Sequence, residues 1–239
     1  MTKISIIIPA YNEEKTINKL LEKIAKADTK NVKKEIIIID DNSKDNTVKE
    51  ILKFKKNNKN KSILSIKIIK HKQNHGKGFA IRTGIKQATG DITLIQDADL
   101  EYDPNDYYSL IKPILKGKAE VVYGSRRLKK ANKQHSGFSF YLGGIGLTLI
   151  TNLLYPGLHI TDEPTCYKVF KTKIIKNLNL KCKRFEFCPE VTAKIAKKHI
   201  KIYEVPISYY PRTTKEGKKI KWKDGIEAVW TLLKYKFVK

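Results

Sequence analysis

Cysteine is scarce in this 239-residue chain: Cys166, Cys182 and Cys188 form neither an even set nor a zinc-like spacing with the five histidines. That argues against a disulfide framework and for a reducing compartment, with the three read as core or surface thiols. A signal peptide is not legible, because the apolar run after Met1-Thr2-Lys3 ends at Pro9. Long uninterrupted apolar runs are missing too. The most apolar stretch, Phe138 to Tyr155, carries Ser139, Gly143, Gly144, Gly146, Thr148, Thr151 and Asn152. It only reaches the lower limit for a spanning helix, roughly 17 residues, so an interfacial helix is expected there.

Acids are few as well, 24 Asp and Glu against 49 Lys and Arg, for a net charge of +25. Such a balance asks for an anionic partner: nucleic acid, an acidic membrane surface or phosphorylated substrates. An AT-rich genome would produce the same excess of lysine beside asparagine and isoleucine. Arginine is more informative, since its planar fork grips phosphate in a way lysine does not. Of the five arginines, Arg82, Arg126, Arg127 and Arg212 lie in or beside the motifs below, and Arg184 stands apart.

What is present is an alternation of strand and helix signals. Ile4 to Ile8 is a β-branched run, and Glu13 to Ala27 places Ile17, Leu20, Leu21 and Ile24 at helical spacing. Strands over Glu35 to Asp40, Ser62 to Lys70, the run ending at Gln96, and Ala119 to Tyr123 alternate with helices through Phe54, from Lys77 to Ala88 and from Pro104. Apolar strands separated by helices predict one α/β domain, a mostly parallel sheet with helices on both faces. Ligands of such sheets bind at the carboxyl ends of the strands.

The motifs fall at those ends. Pro9-Ala10-Tyr11-Asn12-Glu13-Glu14 follows the first strand, where Asn12 and Glu13 suit a helix cap. Asp40-Asp41-Asn42-Ser43 follows the second; it suits a capping turn or a ribose contact. Two glycines flank Lys77 in His75-Gly76-Lys77-Gly78, so backbone N–H groups at a helix start could approach a diphosphate. The spacing is not that of a P-loop. Asp97-Ala98-Asp99-Leu100-Glu101 concentrates three carboxylates at a strand end, a setting for a divalent cation on a diphosphate. Gly124-Ser125-Arg126-Arg127 presents guanidinium groups at the same edge.

In this order, with PAYNEE, DDNS, HGKGFAIRTG, ATGD, DADLE, YGSRR and EVPISYYPRTTKEGKK running from Ile4 to Lys219, the chain resembles the family 2 glycosyltransferases of the GT-A (Rossmann-like) fold. It is most similar to the polyprenyl- and dolichol-phosphate hexosyltransferases, the dolichol-phosphate mannosyltransferase type among them. The resemblance implies a nucleotide-sugar donor bound by Pro9, Tyr11, Glu13, Ile39, Asp41, Lys77, Asp97, Ala98, Asp99, Arg126, Arg212 and Lys218. It implies Mg²⁺ or Mn²⁺ on Asp97, Asp99 and Glu101, and catalytic parts for Asp99, Arg126 and Asp162. Arg212 and Lys218 would come from a C-terminal loop that closes over the donor and excludes water.

The implied reaction is an inverting transfer of mannose or glucose, from a GDP- or UDP-linked donor to a polyprenyl or dolichyl phosphate. It would take place at the membrane, the chain being peripheral on the cytoplasmic face. A sugar hydroxyl acceptor in surface glycan synthesis is the alternative, and would need a carboxylate base, for which Asp162 is the candidate. A non-enzymatic basic protein for membrane or nucleic acid is the third reading, but no RNA or DNA motif accompanies the charge and no nucleic-acid partner is expected. Relatives often carry a basic residue within Gly143-Gly144-Ile145-Gly146; here Arg127, Lys129, Lys130 or His135 would replace it at the acceptor phosphate. The expected domain spans residues 1–220. Residues 221–239 form an amphipathic helix with Trp222, Ile226, Val229, Trp230, Leu233 and Phe237 on one face, turned to the core, to the membrane or to a partner membrane protein.

Overall fold

The computed structural model describes residues 2–129, 132, 137–212 and 222–238. Its strands are β1 (Lys3–Ala10), β2 (Lys33–Asp40), β3 (Ile63–Lys70), β4 (Ile92–Ile95), β5 (Val121–Ser125), β6 (Lys168–Lys171) and β7 (Ile202–Pro206). The helices are α1 (Ile17–Lys26), α2 (Thr47–Asn57), α3 (Lys77–Gln87), α4 (Tyr107–Leu115), α5 (Phe138–Leu154), α6 (Thr172–Lys176), α7 (Phe187–Lys197) and α8 (Trp222–Phe237). All seven strands form one sheet in the order β3-β2-β1-β4-β6-β5-β7.

The isoleucine runs are buried on both faces because the side-chain period of a strand is two. Ile4, Ile6 and Ile8 of β1 with Ile36 and Ile38 of β2 pack under α1, α2 and α4. Ile7 meets α3 and α7 on the other face, and Ile37 and Ile39 meet Ala80 and Ala88 of α3. Lys34 is buried at the foot of β2, its ammonium donating to the Ile24 carbonyl at 3.0 Å and to that of Ala27, where a cation suits the carbonyl end of α1.

One strand breaks the parallel pattern. β6 runs antiparallel between β4 and β5, while β5 and β7 pair in parallel. The carboxyl ends of β1, β2, β4, β5 and β7 therefore share one edge with the amino end of β6. That reversal delivers the segment Thr161 to Cys166 to the edge from upstream of its strand.

The expected helix cap at Asn12 is replaced by a stitch between loops. Asn12 adopts a left-handed φ of 51°, its N–H donates to Ser43 Oγ at 3.0 Å, and its Oδ1 accepts the Lys44 N–H at 2.8 Å. α1 begins only at Ile17. α5 is the expected apolar helix, and among the described residues no helix is long and apolar enough to cross a membrane. α8 packs on α5 and α7 through Leu232, Tyr155 and Ala193, and Tyr155 donates its hydroxyl to the Leu232 carbonyl at 2.7 Å. The apolar stripe of α8 does not face the core: Trp222, Ile226 and Trp230 are 71%, 61% and 65% exposed, and Asp224, Ala228, Thr231 and Leu232 are the buried ones.

Candidate active site

A cavity of about 1490 Å³ opens at this sheet edge. Of the residues expected to bind a nucleotide sugar, Pro9, Tyr11, Glu13, Asp41, Lys77, Asp97, Ala98, Asp99, Arg126 and Arg212 line it, with Glu101 beside them. Ile39 does not reach it, being fully buried against α3. Lys218, Lys130 and His135 lie outside the described residues.

Arg212 is the hub of the acid cluster. Its Nη2 donates to Asp99 Oδ2 at 2.8 Å and its Nη1 to Glu13 Oε2 at 3.2 Å, and its backbone N–H donates to Glu101 Oε1 at 2.8 Å. The segment is laid there by a bridge between Tyr102 and Tyr209 and by the Tyr209 hydroxyl donating to Glu101 Oε2 at 3.1 Å. Asp97 is held by Lys77, Nζ to Oδ1 at 2.6 Å. Burial, and then the charges of Asp97 and Glu101, push the Asp99 carboxyl up to about 7 despite Arg212. Burial works against the Lys77 charge, but the Asp97 carboxylate wins and holds its pKa above the usual lysine value.

Among the described residues no three His, Cys, Asp or Glu side chains stand together as a finished metal site. Within the expected triad, Asp97 is paired with Lys77 and Asp99 with Arg212, while Glu101 accepts the Arg212 backbone N–H, so two cations face three acids. The donor chemistry still fits a hard divalent cation: the groups are carboxylate oxygens, and their mutual repulsion shows in the raised Asp99. Withdrawal of one arginine would free Asp99 Oδ2 and Glu101 Oε1 together.

The glycines around Lys77 do not form a phosphate nest. The His75 and Gly76 N–H groups donate to the Asp41 carboxylate, Gly76 at 2.7 Å, while those of Gly78 and Phe79 donate to the carbonyls of Arg184 and Lys183 at 2.9 and 3.0 Å. A Cβ on Gly78 would stand 2.8 Å from the Arg184 oxygen, so close packing explains that glycine. Asp41 also holds His71 Nδ1 at 2.7 Å, which leaves its carboxylate engaged in anchoring this loop. From this motif, the side chain of Lys77 is what reaches the acid cluster.

Asp162 is fully buried behind Arg126. Its Oδ1 accepts Arg126 Nη2 at 2.7 Å, and its Oδ2 accepts Nε at 2.7 Å and the backbone N–H at 2.9 Å. Burial alone would raise its pKa, yet the guanidinium holds it below the ordinary carboxylate range. Arg126 lies 5.0 Å from the centre of the Tyr209 ring and, unlike Asp162, lines the cavity. Arg127 donates to the Thr161 carbonyl at 2.7 Å and reaches α5, its Nη2 being 3.3 Å from where a Gly144 Cβ would stand. Lys129 Nζ donates to Ser208 Oγ at 2.5 Å.

Sequence reasoning passed over Tyr102, Tyr209 and Glu163, all in the cavity wall. Glu163 is fully buried, and among the described residues its Oε2 has no hydrogen-bond partner. Tyr209 had a signal in the repeated tyrosines of Ser208-Tyr209-Tyr210, but nothing local marks Glu163. Beyond the polar end the cavity continues between α5 and α8, along Phe140, Leu147, Ile150, Ile226 and Trp230.

The family model described as glycosyl transferase family 2 matches residues 5–178. A UDP-N-acetylglucosamine–dolichyl-phosphate N-acetylglucosaminyltransferase of Methanococcus voltae is 37% identical over 216 residues, 85% of this chain and 84% of that protein. A dolichol-phosphate mannosyltransferase of Pyrococcus furiosus is 27% identical over 217 residues, 90% of this chain and 59% of that one. Among solved structures, glucosyl-3-phosphoglycerate synthase from Mycobacterium tuberculosis, in complex with Mn²⁺, UDP and phosphoglyceric acid, matches with a TM-score of 0.74 at 18% identity, covering 100% of this chain and 80% of that one. At that identity the likeness is one of fold, and it makes the seven-stranded, mostly parallel sheet a GT-A sheet. By the span of the family match and the identity to the M. voltae enzyme, the chain belongs to glycosyl transferase family 2.

Proposed function

We propose that the chain transfers a hexose from a nucleotide sugar to a polyprenyl or dolichyl phosphate, with inversion, at the cytoplasmic surface of a membrane. The observation that carries the acceptor is the Asp162–Arg126 pair. The one carboxylate expected to act as a base is turned away from the cavity, bidentate to an arginine and lowered in pKa. A hydroxyl acceptor would need a base; a phosphate is ionised already and needs none. The names of the M. voltae and P. furiosus relatives support the same class of acceptor.

In this reading Pro9, Tyr11 and Glu13 receive the nucleoside, and Lys77 and Arg126 meet phosphate charge, Arg126 oriented by Asp162. Mg²⁺ or Mn²⁺ held by Asp99 and Glu101, beside Asp97, supplies charge stabilisation for the departing diphosphate when bound. Arg212 then exchanges the acids for donor phosphate, and its guanidinium keeps water from the anomeric carbon. The groove between α5 and α8 receives the first isoprene units, and the exposed Leu149, Leu153, Trp222 and Trp230 rest in the bilayer surface. The lysine excess draws the protein to anionic lipid. Within the C-terminal segment, α8 serves as the docking helix for that surface.

The test is transfer itself. Labelled UDP-N-acetylglucosamine, UDP-glucose and GDP-mannose are each incubated with the protein, Mn²⁺ and dolichyl phosphate, and label extractable into organic solvent is counted. Label should move in at least one case, only with both lipid phosphate and metal present. Transfer to a free sugar alcohol but to no lipid phosphate would overturn the acceptor.

A further inference from the structure

Two thiols of the cavity wall have no part in that reaction. Cys166, just ahead of β6, and Cys188, in the first turn of α7, both line the cavity, and the Cys188 thiol sits on the carbonyl of the residue that immediately precedes Cys166. Cys166 Sγ also accepts Lys77 Nζ at 2.8 Å, and Cys188 donates to the Thr165 carbonyl at 3.5 Å. The third cysteine is placed otherwise: Cys182 is buried under α3 with its thiol 3.8 Å from the Gly78 carbonyl. Neighbouring thiols open to one cavity, with an ammonium on one of them, meet the needs of thiol–disulfide exchange: proximity, access and a nearby positive charge.

We propose that Cys166 and Cys188 form a reversible dithiol–disulfide site in the wall of the donor cavity, closed by low-molecular-weight disulfides. Cys188, in the first turn of α7, attacks one sulfur of the external disulfide RS–SR as thiolate and expels the other as RS⁻. Cys166 then attacks the Cys188 sulfur of the mixed disulfide and expels the second RS⁻. Two protein thiols and one external disulfide become one protein disulfide and two external thiols, the two protein protons passing to the released thiolates. Two electrons leave the protein and reduce the external S–S bond. Closure takes from Lys77 the thiol it holds and leaves it with Asp97, so the bridge touches the acid cluster.

The experiment treats the full chain with oxidised glutathione, digests it without reductant and maps the products by mass spectrometry. One linked pair of peptides is expected, joined through Cys166 and Cys188, two hydrogens lighter than the sum and parted by dithiothreitol, with Cys182 still open to alkylation after unfolding. Glutathione left on Cys166 or Cys188 without the link, a link through Cys182, or no thiol consumed would each overturn the proposal. UDP or GDP with Mn²⁺, used at ten times its separately measured Kd, should slow the linking about tenfold, because only the empty fraction reacts. A rate unchanged by a nucleotide shown to be bound would remove the pair from the donor cavity, whatever the acceptor of the transfer proves to be.

Discussion

Arg212 Nη2 stands 2.8 Å from Asp99 Oδ2, across 113 residues of sequence. The acid at the centre of the cluster is thus neutralised by a cation from the far end of the chain, while its neighbour Asp97 is neutralised by Lys77 from α3. The site holds its own counter-charges where a metal and a diphosphate would bring others.

Replacing Arg212 with Gln should have opposite effects on cation and on transfer. A partly exposed ion pair is worth about 1 kcal/mol, so Mn²⁺ alone should bind about fivefold tighter once its competitor is gone. Transfer should fall about 10²-fold for want of a phosphate partner. Calorimetry with Mn²⁺ and kcat/KM measure the two; an unchanged Mn²⁺ affinity would separate Arg212 from the cation site.

Asp162→Asn should act through Arg126. Breaking a buried pair from one side costs about 3 kcal/mol, because a charge is left without its counterion, and Arg126 loses its bidentate support. The double variant Asp162→Asn with Arg126→Gln should recover part of the stability and none of the transfer. Thermal unfolding of the three variants gives the coupling; strict additivity would show that the two residues act apart.

Asp99 makes cation binding pH-dependent. With its carboxyl raised to about 7, a proton competes with the metal below that pH, so affinity should fall about tenfold per unit towards pH 6 and level off above pH 7. Stability follows with its own sign. The unfolded chain loses this proton near the ordinary aspartate value of 3.8 and the folded chain keeps it to about 7, so the contribution of Asp99 to stability is greatest at acid pH and declines as pH rises through that interval. Titrations at several pH values, with Asp99→Asn as reference, check both; an Asn variant with the same pH profile would assign the effect elsewhere.

Trp230→Glu and Ile226→Glu should leave stability within about 0.5 kcal/mol, since both side chains are more than half exposed. Binding to anionic vesicles should weaken in a flotation assay. If both variants float like the parent protein, α8 does not touch the bilayer.

Gly78→Ala tests the close approach at the start of α3. The new methyl would meet the Arg184 carbonyl at 2.8 Å and the Cys182 backbone at 3.1 Å, backbone atoms that have no rotamer to escape into. A loss of about 1–3 kcal/mol is expected, with weaker nucleotide binding as Lys77 shifts. A neutral result in thermal unfolding would show that residues 182–184 give way easily.

The first half of the sheet was legible because β1 and β2 are buried on both faces, so every position had to be apolar and the isoleucine runs stood out. β6 was not: it is four residues long, and two of them are lysines. Lys168 is nonetheless fully buried, its ammonium 3.5 Å from the centre of the Tyr123 ring, an arrangement no local pattern announces. The motifs were found at the right edge, yet Asn12 proved to be a stitch rather than a cap. The N–H groups of His75, Gly76, Gly78 and Phe79 proved to be spent inside the protein.

The sequence alone determined the α/β alternation, the family motifs and the edge at which they gather, because periods of two and 3.6 residues arise from near neighbours. Only the tertiary structure decided which charge neutralises which. Asp162 faces Arg126 because β6 runs backwards, Arg212 reaches Asp99 because Tyr209 lies beside Tyr102, and the stripe on α8 points outward because Leu232 makes the contact with α5 and α7. Each of these depends on strand direction and helix rotation, which are set by contacts between distant segments and leave no mark on the residues nearby.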